Sequence, residues 1–228
     1  MLRDMLPEDE EKMSPAHFNI EFDERDHSYV VDGDSGYGSV TQILQAEGLS
    51  GSTFWKDEHR HRGTAVHKIA LLIGKRPIVG KTVDEVIENS LWDPSTTAPG
   101  LVGYGRSVAK FYLESGFQPE LVEQPVASKR FRVVGTLDAW GRLPDGETFM
   151  PDFKSGEPQD AAWVQTAIYV MCLEETFGLK TDKRAPVWIM PDENYKIKPP
   201  RPAGGEDLII GQCAINLYNW RVRHKMVA

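Results

Sequence analysis

Apolar residues recur along this chain at two periods, and where each period holds predicts the layout of its elements. Over residues 62–73, Val66, Ile69, Ala70 and Ile73 fall at i, i+3, i+4 and i+7, the inward face of an amphipathic helix. His67 borders that stripe. A second helix is predicted over 158–177, with Pro158 and Asp160 early in it and Val164, Ile168, Met171 and Cys172 on one face. Between the two helices the period drops to two. Pro144-Asp145-Gly146 suits a three-residue hairpin loop whose glycine takes positive φ, centred on Asp145 with Leu143 paired to Glu147.

The remaining segments read more coarsely. Residues 18–22 and 29–31 predict an N-terminal hairpin, and 41–47 a short helix stopped by Gly48. Residues 92–105, rich in Pro, Thr and Gly, predict a loop or lid over a groove. A helix is expected over 107–115, a strand from Pro119 through Glu123 to Val126, a hairpin from 186–190 and 195–198, and a closing helix over 208–224. Residues 198–205, with three prolines and two glycines, read as a linker. No internal repeat is present. The expected architecture is α/β, a central mixed sheet with the hairpin at its middle and helices flanking it.

The register of that hairpin brings in the chemistry. Counting outward from Asp145 sets Asp138 opposite Asp152, and strand alternation puts Asp152 and Lys154 on one face while Pro151 and Phe153 point the other way. Two carboxylates held that close repel unless a divalent cation neutralises them, and oxygen ligands favour Mg²⁺ or Mn²⁺. A lysine beside them can stabilise the charge that builds on a transferring phosphoryl group. The chemistry suggested is phosphodiester hydrolysis. The bland alternative is a solvent-exposed hairpin with a cross-strand Asp/Lys pair, since Asp-x-Lys is a short motif. His67 likewise reads either as a ligand or as a boundary residue of its helix. Gln165 and Tyr169, at i and i+4, would present an amide and a phenol to one neighbour.

Composition sets limits. The chain has 228 residues, 40% of them hydrophobic, enough for one substantial core, and no stretch is long and apolar enough to span a membrane. Residues 1–16 read as an acidic tail ahead of a single domain over 17–228. Its acids are the wrong charge for a mitochondrial transit peptide and too polar for a secretory one. Only Cys172 and Cys213 occur, which together with the lack of a signal peptide predicts a reducing, cytoplasmic setting.

A net charge of −8 looks unsuited to a polyanionic substrate. Residues 1–26, however, hold nine acidic and three basic side chains, which leaves only −2 for the other 202. Lys56, Arg60, Arg62, Lys68, Lys75 and Arg76 cluster around His67, and Arg221, Arg223 and Lys225 near the C-terminus. Both sets would suit backbone phosphates, though for the second a solvated helix face is an equal alternative.

Taken in order, Arg62-Gly-x-x-Val66-His67, Gly135-x-x-Asp138, Asp152-x-Lys154-x-Gly156 and Gln165-x-x-x-Tyr169 resemble the PD-(D/E)XK nuclease superfamily, and within it the RecB-like exonucleases of the phage and mitochondrial genome-maintenance kind. The stretches 26–33 and 39–44 look like the lead-in of those members. The resemblance implies a restriction-endonuclease-like α/β core in which His67, Asp138, Asp152 and the Phe153 carbonyl ligate metal. It implies that Lys154 is catalytic and that Gln165 and Tyr169 position the lysine or the nucleic-acid backbone. Glu123 could match an extra acidic ligand of some members, and an exposed edge glutamate is the other reading. Several RecB-like branches hold an iron–sulfur cluster on four cysteines, which two cysteines cannot supply, so no cluster is expected.

The expectation is therefore a Mg²⁺- or Mn²⁺-dependent deoxyribonuclease, an exonuclease working from DNA ends in replication, recombination or phage DNA processing. Arg60, Arg62, Lys68 and Tyr169 would contact DNA, and a recombinase or single-strand-binding protein would be a natural partner. An endonuclease on the same scaffold and a non-catalytic nucleic-acid-binding protein are the rival readings. No helix-turn-helix or zinc-finger pattern accompanies the core.

Overall fold

A computed structural model describes residues 18–23, 28–50 and 57–226, with the side chains of residues 57–60 outside that description. The expected acidic tail, Lys56 and part of the 26–33 stretch fall outside it as well. The elements in chain order are β1 (Ile20–Asp23), β2 (Ser28–Val31), β3 (Gly38–Ser39), α1 (Val40–Ala46), α2 (Asp57–Gly74), α3 (Val83–Asn89), α4 (Pro99–Ser115), β4 (Gln118–Ser128), β5 (Val133–Arg142), β6 (Thr148–Lys154), α5 (Ala161–Phe177), β7 (Lys183–Ile189), β8 (Tyr195–Ile197), β9 (Arg201–Pro202) and α6 (Glu206–Arg223).

The hairpin around Asp145 forms as its loop chemistry dictates. Gly146 takes φ +87°, its N–H donates to the Leu143 carbonyl at 2.9 Å, and the Leu143 N–H donates to the Glu147 carbonyl at 2.9 Å. The ladder continues in the expected register through Arg142↔Thr148 and Gly141↔Phe149. There it stops. Beyond Phe149, β6 pairs in parallel with β7 from Phe149↔Lys183 to Lys154↔Trp188, while β5 stays antiparallel to β4 along its length. The sheet thus forks: β5 meets β6 at one end and, in parallel, β3 at the other, with residues 135–140 between them. The regular Asp138–Asp152 cross-strand pair expected from the register is replaced by this opening.

The seven strands make one mixed sheet flanked by helices, and β1–β2 form a separate two-stranded sheet. On one side Val66, Ile69, Ala70 and Ile73 of α2 pack with α3, α4, Phe149, Phe153 and Val187. On the other, Ile43 and Leu44 of α1, Val164, Ile168 and Cys172 of α5 and Ala214 and Ile215 of α6 cover Leu137, Trp140 and Met150. Leu137 and Trp140 share one core while Ala139 belongs to the opposite one, so the strand's alternation slips at Asp138. α1 carries a capping box between Ser39 and Gln42, and Gly48 just beyond its end has φ +70°.

Two expectations are corrected. Residues 92–105 are no lid: Trp92 is buried, Pro94–Thr96 form a single 3₁₀ turn, and α4 begins at Pro99. Gly103 and Gly105 mark close approach. A Cβ at Gly103 would lie 1.9 Å from the Pro191 carbonyl oxygen, and one at Gly105 would lie 2.2 Å from the Trp92 ring. The Pro-rich 198–205 segment is likewise more than a linker, because Arg201–Pro202 pair with the start of β7 as β9. An edge position tolerates the prolines.

Candidate metal centre

The fork between β5 and β6 is where the ionisable side chains meet. Asp138, 8% exposed, turns its Oδ2 across the gap to accept the Phe153 N–H at 2.5 Å, taking the place of the missing ladder carbonyl. Its Oδ1 faces His67 of α2, with Nδ1 at 3.0 Å. Glu123 of β4 approaches the same imidazole nitrogen, Oε1 to Nδ1 3.4 Å. The ligand atoms of His67, Glu123 and Asp138 lie within 4.8 Å of one another, and this group could hold a metal ion. On β6, Asp152 is buried and pairs with Lys154, Oδ2 to Nζ 2.6 Å.

The electrostatics follow from crowding acids and bases out of water. Burial alone would lower the His67 pKa, but Asp138 and Glu123 outweigh it and raise it to about 10. Burial works against ionised Asp138 too, yet His67 and Lys154 hold its carboxyl below the usual range. Asp152 goes the other way: burial, reinforced by Asp138, lifts it to about 6 against the pull of Lys154. Burial also raises the Glu123 carboxyl. Lys154 stays a strong base, since its carboxylate neighbours, Asp152 foremost, exceed the cost of its burial.

A cation fits this set. Asp152 Oδ1 and Glu123 Oε1 are buried without a hydrogen-bond donor, and an unsatisfied buried carboxylate oxygen costs free energy that coordination recovers. One imidazole with carboxylates is also a mixed nitrogen and oxygen donor set of the kind that binds divalent cations.

The other candidate residues lie as follows. Gln165 Nε2 donates to the Tyr169 hydroxyl at 3.0 Å, one turn apart on α5. Tyr169 is 5% exposed with its ring against Gly135, where a Cβ would come within 2.8 Å of the ring. This is why glycine stands at the head of Gly135-x-x-Asp138. Burial and then Asp152 push the Tyr169 phenol well up, which places it in electrostatic reach of the carboxylates. Arg62 is half-buried, its guanidinium 6.0 Å from the Tyr104 ring and its Nε without a hydrogen bond. Lys68 is exposed, and the Arg60 side chain lies outside the described residues. Arg76 donates to the carbonyls of Asn89 and Ser90 at the end of α3. Arg221 is occupied, bonded to the Ala46 carbonyl and the Glu47 carboxylate, so it fastens α6 to α1 and is not a free phosphate contact.

Two residues go unnoticed in the sequence. The Tyr112 hydroxyl of α4 is buried without a partner, its pKa raised by burial and then by Asp138 and Glu123. Nothing in the helix pattern distinguishes it from core. Tyr29 of β2 shares a 3.0 Å hydrogen bond with Thr136, two residues before Asp138 on β5. The 26–33 stretch and Gly135-Thr136-Leu137-Asp138 each stand out in the sequence, but nothing in either links Tyr29 to Thr136.

No family model and no curated protein matches the sequence. Among solved structures, the crystal structure of SSO0001 is similar at 13% identity over 82% of this chain and 76% of that one, with a TM-score of 0.38. A "putative exonuclease" from Eubacterium rectale is similar at 10% identity over 85% of this chain and 83% of its own, with a TM-score of 0.47. Among the described residues no helix is long and apolar enough to cross a membrane.

Proposed function

We propose that this protein is a divalent-metal-dependent nuclease that hydrolyses DNA from its ends. The observation that carries this reading is the convergence of His67, Glu123 and Asp138, drawn from α2, β4 and β5, beside the Asp152–Lys154 pair at the fork of the sheet. In this reading the first three residues and Asp152, with the Phe153 carbonyl, hold Mg²⁺ or Mn²⁺. Such a cation, when bound, acidifies water and draws charge from a phosphodiester. Lys154, kept cationic by Asp152, stands on the same strand face to stabilise charge developing on the phosphoryl oxygens or the attacking oxygen. The phenol of Tyr169 accepts from Gln165, so its own O–H remains free to donate toward Lys154's carboxylate partner or a phosphate.

Support for end-dependence comes from the order of the four motifs, which resembles that of RecB-like exonucleases, and from the lack of an added base-reading module. The test offers equal masses of linear and covalently closed circular DNA, single- and double-stranded, with Mg²⁺, Mn²⁺ or chelator. Progressive loss of a linear form to short products, circles spared and chelator inhibiting, is the expected result. Nicking of closed circles favours an endonuclease, and metal-independent binding without cleavage favours a non-catalytic nucleic-acid-binding protein.

A further inference from the structure

α6 covers the sheet with one face and leaves an apolar stripe on the other. Ala214 and Ile215 are buried against α5, whereas Ile209 is 62% exposed, Ile210 37%, Leu217 50% and Trp220 44%, with Cys213 exposed among them. At about 100° per residue these five side chains fall within roughly a third of the helix circumference, and the stripe runs about 16 Å. Contiguous apolar surface of this kind is unusual on a monomer and marks an interaction site. Its ends carry opposite charge: Glu206 is exposed at the N-terminal end of the stripe, and Arg223 and His224 are exposed at the other, where the His224 ring lies 4.6 Å from Trp220.

That pattern is self-complementary only when reversed. We propose that α6 pairs antiparallel with α6 of a second copy of this chain, forming a two-fold symmetric dimer. An axis at residue 215 sets Ile210 against Trp220 of the second copy and Cys213 against Leu217. It also brings Glu206 to Arg223 and His224 at both ends at once. A parallel pairing would instead place like charges together, and the antiparallel one also opposes the helix dipoles. None of the stripe residues belongs to the metal centre, so the two centres stay available.

Cys172 is buried, which makes Cys213 the thiol a reagent reaches, and near the axis two copies of it stand within the span of a short bis-maleimide. The experiment measures the mass of the full chain by light scattering across micromolar concentrations, alongside cross-linking of the native protein. The expected result is twice the 25.7 kDa chain mass and a covalent dimer through Cys213. Leu217→Glu, at a half-exposed position, should give a folded monomer with at least a tenfold loss of cross-linking. Glu206→Arg and Arg223→Glu should each weaken the dimer at least tenfold, and the double exchange should restore it. A monomer at every concentration overturns the proposal, as does a dimer indifferent to Leu217→Glu. A monomer whose Cys213 becomes reactive only when residues 1–17 are deleted would place the chain's own N-terminal segment on the stripe, and also overturns it.

Discussion

Glu123 holds a left-handed backbone, φ +46°, in the middle of β4. For a residue with a Cβ that conformation costs about 1 kcal/mol, and such outliers gather where a side chain must be aimed. It turns the carboxylate toward His67 and Asp138 across the slip in β5. Glu123→Gly relieves the strain and removes a buried acid, so the metal-free variant should melt no lower than the parent. Its Mn²⁺ affinity should fall at least tenfold by calorimetry. A lower melting temperature with unchanged affinity would make Glu123 structural.

Protons and metal compete for the same oxygens. Asp152, lifted to about 6, and His67, lifted to about 10, must both release protons on coordination, so affinity rises with pH. The sign for stability is the same for both, and only the window differs: His67's contribution is lost as pH rises from about 6.5 through 10. Asp152's folded value exceeds its unfolded one, so its unfavourable contribution is absent below the unfolded value near about 4 and grows as pH rises through 6. Calorimetric Mn²⁺ affinity should therefore tighten steeply from pH 5 to 7 in the parent and less so in Asp152→Asn. Parallel pH profiles for the two would remove Asp152 from the centre.

At the scale of elements, one buried cation joins three layers. Arg184 of β7 is fully buried, donating to the Trp163 carbonyl at 2.8 Å, the Thr166 hydroxyl at 2.9 Å and Asp207 of α6 at 2.7 Å, while Arg201 of β9 grips the other side of Asp207. Burial raises the Asp207 carboxyl, but the two arginines outweigh it and hold it below the usual range. A depressed folded value means stability that is present above the unfolded pKa and lost as pH falls through the folded one. Asp207→Ala strands Arg184 and should cost about 3 kcal/mol at pH 7 in urea unfolding. The parent's advantage over Asp207→Ala should begin to shrink below about pH 4, the unfolded carboxyl's value, and shrink further as pH falls toward the folded one. A cost under 1 kcal/mol would mean the remaining acceptors suffice for the guanidinium.

Helix faces, and the loop that joins β5 to β6, were legible from spacing because each depends on a few consecutive residues. Val66, Ile69, Ala70 and Ile73 are buried where the period puts them, and the Asp145 loop sets the first two ladder pairs as counted. The start of α4 was not legible, since Gly103 and Gly105 serve contacts with Pro191 and Trp92 that no local pattern reveals.

At the scale of the whole molecule, the metal group exists only in the folded chain, because His67 and Asp138 lie on α2 and β5 with Glu123 on the strand between. A cation that binds only the folded state stabilises it by about 2.7 kcal/mol at a hundred times its dissociation constant, a rise in Tm of about 5–10 °C for a chain this size. Mn²⁺ should give that rise in the parent and not in Asp138→Asn. Equal shifts in both would indicate a different cation site.

The sequence by itself determined the helix faces and the turn that joins β5 to β6, and it marked the candidates for the chemistry, because side-chain period and loop type are local properties of the backbone. Asp138, Asp152, Lys154 and His67 could be singled out on those grounds. Only the tertiary structure decided that Asp138 would face into a fork and bond the Phe153 amide, with Glu123 completing the group and Asp152 paired to Lys154 alongside. That outcome depends on β6 leaving β5 for β7 and on the slip in the side-chain alternation of β5 at Asp138. Both are set by packing between segments distant in the chain, which no spacing rule encodes.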